Sequence, residues 1–433
     1  MKYTPIASSL FLKNRIKFSA RLKSNSIAFF NSNDIYPVSS DSTLPFAQHR
    51  DIFYLSGIDQ EESVLFLFPD CPNPAQREIL FVRETNAHIA VWEGAKLTKE
   101  AATKISGIET VYWLADLPKI LEELMKQCEN VYTNINEHSR AQVQTETRED
   151  RFIKRMLEKY PKHNIEKSNP ILQQLRSLKE PEEIDLIQKA CNITEKGFRR
   201  VLDFVKPGVW EYEIEAEWIH EFIRNRSKGF AYTPIVASGN NANVLHYIQN
   251  NQQCKSGELI LMDVAAEYAN YSSDLTRTVP VSGRFSNRQK KVYNAVNRVK
   301  KEATTMLVSG TIWAEYQAEV GKMMSSELLD LGLLTKADLQ NETPDNPAYK
   351  KYFMHGTSHH MGLDTHDYGN LREPMQANMV FTVEPGIYIP EEGFGIRLED
   401  DVVIQESGTP VNLMKNIPIE PEEIEDLMNR GEN

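Results

Sequence analysis

The chain has 433 residues, of which 41% are hydrophobic and 25% charged, with a formal net charge of -12. That length exceeds what one core usually serves, so two domains are expected. The excess of acid argues against nucleic acid or a membrane surface as partner and leaves metal ions and small cationic molecules open.

At the N-terminus the apolar run is broken by Lys13 and Arg15 and has no small-residue cleavage site, so no signal peptide is expected. No stretch approaches the ~18 apolar residues of a membrane span. Cys71, Cys128, Cys191 and Cys254 are dispersed without C-x-x-C spacing, which fits free thiols in a reducing, cytoplasmic setting. Residues 26–30, 52–57, 63–68 and 78–83 are short apolar runs bounded by Asn, Asp, Pro or Gly and read as buried strands. Asp116 is placed to cap a helix through Leu117, Ile120, Leu121 and Leu124, and residues 131–135 return as a strand. Trp92 falls in AVWEGAKLT, a polar, loop-like stretch where half-buried packing is its simplest reading. Residues 1–173 are thus expected to form an α/β domain without a chemical constellation of its own.

The second domain is expected to span residues 174–433. Pro181 opens a helix whose apolar stripe runs to Val201 and Leu202, with Cys191 on the buried face, before Pro207 and Gly208 stop it. Another helix follows from Glu211 through Ile214, Trp218, Ile219 and Phe222. Residues 230–251 read as a β run, a Gly/Asn turn and then His246, by itself a strand histidine hydrogen-bonded at a turn. In ELILMDVAAEYANYSSDLTRTVPV two β runs flank a turn, and a hairpin centred between Tyr268 and Ala269 sets Asp263 opposite Asp274 with Cβ atoms about 5 Å apart. Facing like charges weaken a ladder, and Asp263 directly follows the buried-looking run LILM, so the pair asks for a cation. Ser286 caps a helix through Val292, Val296, Val299 and Ala303, and a further helix runs from Trp313 to Leu328. Residues 335–351 read as a polar loop.

Residues 353–367, FMHGTSHHMGLDTHD, then gather His355, His359 and His366 among small residues in a chain with 10 histidines in all. The stretch MVFTVEPGIYIPEEGFGIRLEDDVVI reads as a second hairpin, whose turn at Pro390 to Gly393 sets Glu384 opposite Glu399 with Arg397 on the same strand face. Pro385 and Gly386 end regular pairing beside Glu384. The acidic tail after Pro418 is expected to be a solvated helix.

The candidate ligands are therefore Asp263, Asp274, His359, Glu384 and Glu399. Four carboxylates and one imidazole form a hard donor set suited to Mn(II), Fe(II), Co(II) or Zn(II), and their charge matches two divalent ions that share and deprotonate a water. No H-E-x-x-H is present, so a mononuclear zinc protease fits poorly.

In order and spacing, LMDVAAEYANYSSDLTRTVPV, HGTSHHMGLDTHD, TVEPGIYI and GIRLEDDVVI resemble the motifs of the pita-bread metallopeptidases, and specifically of the aminopeptidase P family. FAQHRDIFYLSGIDQEESVLFLF extends the resemblance into the first half. It implies an N-terminal creatinase-type α/β domain, a C-terminal α+β pita-bread domain with curved antiparallel sheet, and a dinuclear site most often holding Mn(II). The resemblance assigns the same five ligands, places His246, His355 and His366 around the scissile bond, and sets Arg397 beside the metals. It puts Tyr388 and Trp92 in the substrate pocket, Trp92 reaching in from a first domain. The implied reaction is attack by a metal-bridging hydroxide on the carbonyl before proline, with Glu384 as proton shuttle and His366 or His246 steadying the oxyanion. Small peptides with penultimate proline are the implied substrates, and a homo-oligomer, dimer or tetramer, the implied assembly. The alternatives are an Xaa-Pro dipeptidase, which shares fold and ligands, and a pita-bread peptide-binding module that has lost catalysis. Retention of all five ligands argues against the second.

Overall fold

The computed structural model describes residues 3–138, 140–141 and 144–430. The ends of the first expected domain, Met1 and Lys2, and of the acidic tail, residues 431–433, lie outside them. The chain divides into two compact units, one of Thr4–Leu175 and one of Tyr3 with residues 176–430.

The first unit is built on a six-stranded sheet in the order Thr110–Trp113, Glu78–Val82, Val64–Leu67, Ser26–Asn31, Asn130–Thr133 and Asn164–Lys167. Val64–Leu67 runs antiparallel to both neighbours and the other pairs are parallel. The inner strands Glu78–Val82, Val64–Leu67 and Ser26–Asn31 are near-continuous apolar runs because both faces are buried. Phe29, Phe66, Phe81 and Phe152 meet edge to face on one side, packed with Leu124 of the helix Leu117–Met125.

Two expectations for this unit are corrected. Residues 52–57 are not a strand: 52–56 belong to the helix Arg50–Ser56 and Gly57 caps it. Every residue from Asp51 to Ser56 is buried, so the run carries no period to separate helix from strand, and its ends decide. His49 Nδ1 accepts from the Asp51 amide, and Gly57 closes the helix at φ 69°, where a Cβ would lie 2.2 Å from the Phe11 ring. Trp92 is not in a loop either. It lies on the helix Ala87–Glu93, capped by Asn86, and is 77% exposed rather than half-buried.

The second unit is antiparallel. Leu259–Asp263 is the middle strand between Ile235–Ser238 and Thr276–Pro280, and Asp400–Val403 lies between Val380–Val383 and Val411–Asn412. Gly386–Ile389 pairs with Phe394–Arg397 to continue the second hairpin. The two hairpins are joined at Thr276 and Thr278, which exchange main-chain and hydroxyl bonds with Glu399 and Arg397. The helices Pro181–Phe204 and Glu211–Arg224 pack as one pair and Asn287–Thr305 and Trp313–Asp330 as another, each with an apolar face turned inward. The helix Pro421–Met428 buries Pro421, Ile424 and Leu427, so the tail is amphipathic rather than solvated throughout. Residues 335–351 hold the short helix Lys336–Gln340, started by a Thr335–Asp338 capping box. No helix among the described residues is long and apolar enough to cross a membrane.

Candidate metal centre

The second hairpin has the register expected from its turn. Gly386 pairs with Arg397 on one side and Val383 with Asp400 on the other, so Glu384 and Glu399 occupy facing positions in the gap between the two ladders. Pairing stops there at Pro385, which has no N–H to give. The first hairpin differs. Asp263 pairs with Thr276, and Ala269 and Asn270, both at positive φ, form the turn one residue later than expected. Asp274 therefore sits diagonally from Asp263 on the same face rather than directly opposite. The residues 357–361 lie alongside Val380–Val383, with the Thr382 amide donating to the His359 carbonyl at 3.0 Å and the Glu384 amide to that of Thr357 at 2.8 Å.

These ladders bring Asp274, His359 and Glu399 together, with one ligand atom from each within 4.8 Å of the others. His359 Nε2 is 3.4 Å from Asp274 Oδ2 and 3.5 Å from Glu384 Oε1. Its Nδ1 donates to the His360 carbonyl at 3.0 Å, which turns Nε2 toward the carboxylates. An imidazole nitrogen and carboxylate oxygens converge on one place, an arrangement that a cation resolves. Burial, with Asp263 beside it, pushes the Asp274 carboxyl well above the usual range. Burial followed by Asp274 and Glu384 does the same to Glu399, and burial raises Glu384 to about 7 against the pull of His359 and Arg397. An oxygen-rich, buried set of this kind fits divalent ions.

Arg397 neutralises one member. Its Nη2 lies 2.6 Å from Asp263 Oδ2, its Nε donates to Thr276 Oγ1 at 3.1 Å, and its Nη1 donates to the Tyr388 hydroxyl at 2.8 Å. Because arginine can only donate, the Tyr388 O–H is left to donate to His355 Nε2, 2.8 Å away. His355 Nδ1–H then donates to the Gly356 carbonyl at 2.8 Å, which fixes the neutral tautomer. Burial, then the nearby Arg397, lower this imidazole to about 3. Its Nδ1 is 3.6 Å from Glu384 Oε2.

The remaining sequence candidates lie as follows. His366 packs edge-on against His359, ring centroids 4.4 Å apart, with its outer side exposed. His246 is in an exposed turn, not a strand, near enough to His355 to lower its proton affinity. Tyr388 is fully buried beneath His355 and Arg397. Trp92 belongs to the other compact unit.

Three groups at the centre were missed. The Tyr232 hydroxyl donates to Asp263 Oδ1 at 2.6 Å, Thr276 Oγ1 donates to Glu399 Oε2 at 2.6 Å, and Asp401 Oδ2 accepts the Asp274 amide at 2.9 Å. Thr276 lies on the Asp263 face of its ladder and Asp401 on the Glu399 face, so period-two counting from the ligands would have found both. Tyr232 carries no such signal.

Two family profiles match the chain: Metallopeptidase family M24 over residues 185–406, and Aminopeptidase P, N-terminal domain, over residues 11–132. The chain is 34% identical to the Xaa-Pro aminopeptidase of Escherichia coli over 411 residues, 90% of each protein. It is 30% identical to human Xaa-Pro aminopeptidase 3, covering 92% of this chain and 80% of that one. A solved structure of zinc-substituted E. coli aminopeptidase P in complex with product is similar at a TM-score of 0.89 and 31% identity, covering 99% of both chains. Aminopeptidase PepP of Pseudomonas aeruginosa is similar at a TM-score of 0.90 and 29% identity, again over 99% of both.

Proposed function

The chain belongs to metallopeptidase family M24 and carries the aminopeptidase P type of N-terminal domain, and from that premise we propose that it releases the N-terminal residue of peptides with proline in second position. It is a metal-dependent hydrolase. The observation that carries the reading is the excess of buried carboxylate around His359 Nε2, where Arg397 balances Asp263 and leaves Asp274, Glu384 and Glu399 to a cation.

Asp263, Asp274, His359, Glu384 and Glu399 would hold two divalent ions, Mn(II) being the first choice for both and Co, Fe or Zn the alternatives. Bound there, such ions acidify a water and polarise the carbonyl of the scissile bond. Glu384 is assigned to take a proton from the attacking water and return it to the proline nitrogen. His355 stays neutral and oriented, and His366 or His246 is assigned as the hydrogen-bond partner of the oxyanion. Tyr388 acts here by holding His355 and Arg397, and the exposed Trp92 is assigned to peptide binding. An Xaa-Pro bond is a tertiary amide without N–H, so proline is recognised by shape. Gln174 is taken as the start of the catalytic domain, a dimer or tetramer as the assembly, and the four buried free cysteines as the mark of a cytoplasmic setting.

The test is Mn(II)-dependent hydrolysis of Ala-Pro-Ala beside Ala-Pro, with metal content measured on the same sample. Release of alanine from the tripeptide at about two metals per chain supports the reading. Cleavage of the dipeptide alone makes it an Xaa-Pro dipeptidase, and no cleavage with no metal uptake makes it a peptide-binding module.

A further inference from the structure

Glu211 begins the helix Glu211–Arg224 and faces residues 238–252, the segment that carries His246. Its side chain is 0% exposed, a place where a carboxylate is costly unless its lone pairs are filled. They are filled from that segment alone. Oε1 accepts from the Ser238 amide at 2.7 Å, the Ser238 hydroxyl at 2.7 Å and Asn241 Nδ2 at 3.1 Å. Oε2 accepts from the Tyr247 hydroxyl at 2.8 Å and the Gln252 amide at 2.9 Å.

Helix capping does not account for this, because the helix start is served by Glu213, whose carboxylate accepts the Trp210 amide at 2.7 Å. One turn along the same helix face, Glu215 accepts from Asn250 Nδ2 at 2.8 Å, and Asn250 Oδ1 accepts the Val236 amide at 3.0 Å. Leu245 and Tyr247, the neighbours of His246, pack with Leu261 and with Tyr388, whose hydroxyl holds His355. No ladder pairs residues 239–251; the Tyr247 amide closes the turn around His246 on the Val244 carbonyl at 3.2 Å, and these side-chain bonds fix where that turn stands.

We infer that Glu211 is a positioning residue for the peptidase reaction: its five hydrogen bonds to Ser238, Asn241, Tyr247 and Gln252 hold the segment in the shape that presents His246 beside His355. The inference rests on the hydrolysis proposed above and on the place of His246 in it.

A double-mutant cycle on the Mn(II)-loaded full chain tests it. Glu211→Gln keeps the shape and turns one acceptor into a donor that meets donors. Its kcat/KM for Ala-Pro-Ala should fall about tenfold, mainly in kcat, with metal content unchanged. His246→Ala sets the reference, and adding Glu211→Gln to it should lower turnover by no more than about twofold. Losses that multiply, a Glu211→Gln enzyme with full turnover, or one that loses metal in proportion to activity would overturn the inference. Tyr247→Phe, which removes one of the five donors and is milder on folding, should lose about threefold and be equally silent behind His246→Ala. If His246→Ala keeps wild-type turnover, Glu211 has nothing to act through and the inference falls, while the metal-site reading, judged by wild-type cleavage and metal content, stands.

Discussion

Asp263, Glu384, Glu399 and His359 take their places from main-chain ladders or the segments bonded directly to them, whereas His246 and His366 stand on segments held by buried side chains. For His246 the holder is Glu211. For His366 it is the next residue, Asp367, whose oxygens meet Arg176 Nη2 at 2.6 Å and Lys179 Nζ at 3.0 Å, all three groups buried. Gly362 makes that cluster possible, since a Cβ there would lie 2.2 Å from Asp367 Oδ2. Ladders fix an atom to within the pleat and cannot move without breaking the sheet, which suits a metal ligand. Side-chain anchors leave a histidine near the surface, which suits a group that must meet and release a peptide.

The sharpest way to break this contrast is at a metal ligand beside a ladder, where main-chain bonds from Val264 to Leu275 and from Ser273 to Ala266 flank Asp274. Asp274→Ala should abolish Ala-Pro-Ala cleavage and weaken metal retention while circular dichroism stays native. Outer partners of ligands are worth about 10- to 100-fold, so loss of a ligand itself should exceed about a hundredfold in kcat/KM. Unchanged turnover would remove Asp274 from the metal set and with it the case for two ions.

At an anchor the largest effect should fall on stability instead. Asp367→Asn takes the carboxylate from the buried Lys179 and one of two carboxylates from Arg176, which keeps Asp364 at 2.7 Å, and costs about 3 kcal/mol in urea unfolding. Arg176 and Lys179 hold the Asp367 carboxyl down at about 2 despite burial, from an ordinary value of 3.8. Its contribution is therefore present above about pH 4 and lost as pH falls toward 2. Metal affinity should stay near wild type. A variant that loses its metal as readily as Asp274→Ala does would show that the two kinds of support are not separable.

Between ladder and anchor lies Tyr388, paired to Gly395 in its strand yet bonded through its hydroxyl to both Arg397 and His355. Tyr388→Phe keeps the strand and frees the His355 ring, so kcat should fall about tenfold with metal content unchanged. Equal kcat in the two enzymes would mean that the bond from the Tyr388 hydroxyl to His355 does not matter to turnover.

The same division explains what could be read from the chain. The period of a strand is two residues, so a hairpin turn carries its register outward, and Glu384 and Glu399 could be set opposite each other from the turn at Pro390 to Gly393. An error of one residue in the first turn displaced Asp274 from facing to diagonal but kept it on the correct face, because moving the turn centre by one residue shifts the partner by two. Helix starts at Pro181, Ser286 and Trp313 were legible through prolines, caps and apolar stripes. The helix Arg50–Ser56 was not, since burial on all sides erases the stripe. Nor were the anchors: Arg176 and Asp367 are 191 positions apart and Glu211 and Tyr247 are 36 apart, and nothing local marks such a pair.

The smallest effect separates metal-free from metal-loaded protein. Without metal, burial keeps a proton on Glu384 up to about pH 7, while the unfolded chain releases it near 4.5. Between those values the folded state binds more protons than the unfolded one, so stability is fully present below about pH 4.5 and is lost as pH rises through 7. Asp274 and Glu399, displaced in the same direction, add to the loss. The slope should be on the order of 1 kcal/mol per pH unit for each such group. A bound cation takes over the role of these protons, so Mn(II) should flatten the curve and its stabilising increment should grow with pH. Melting temperatures measured from pH 5 to 8 in chelator and in Mn(II) distinguish the cases. Diverging curves place the ions on the ladder-borne carboxylates, and parallel ones would mean that the metal binds where no proton was displaced, away from Glu384.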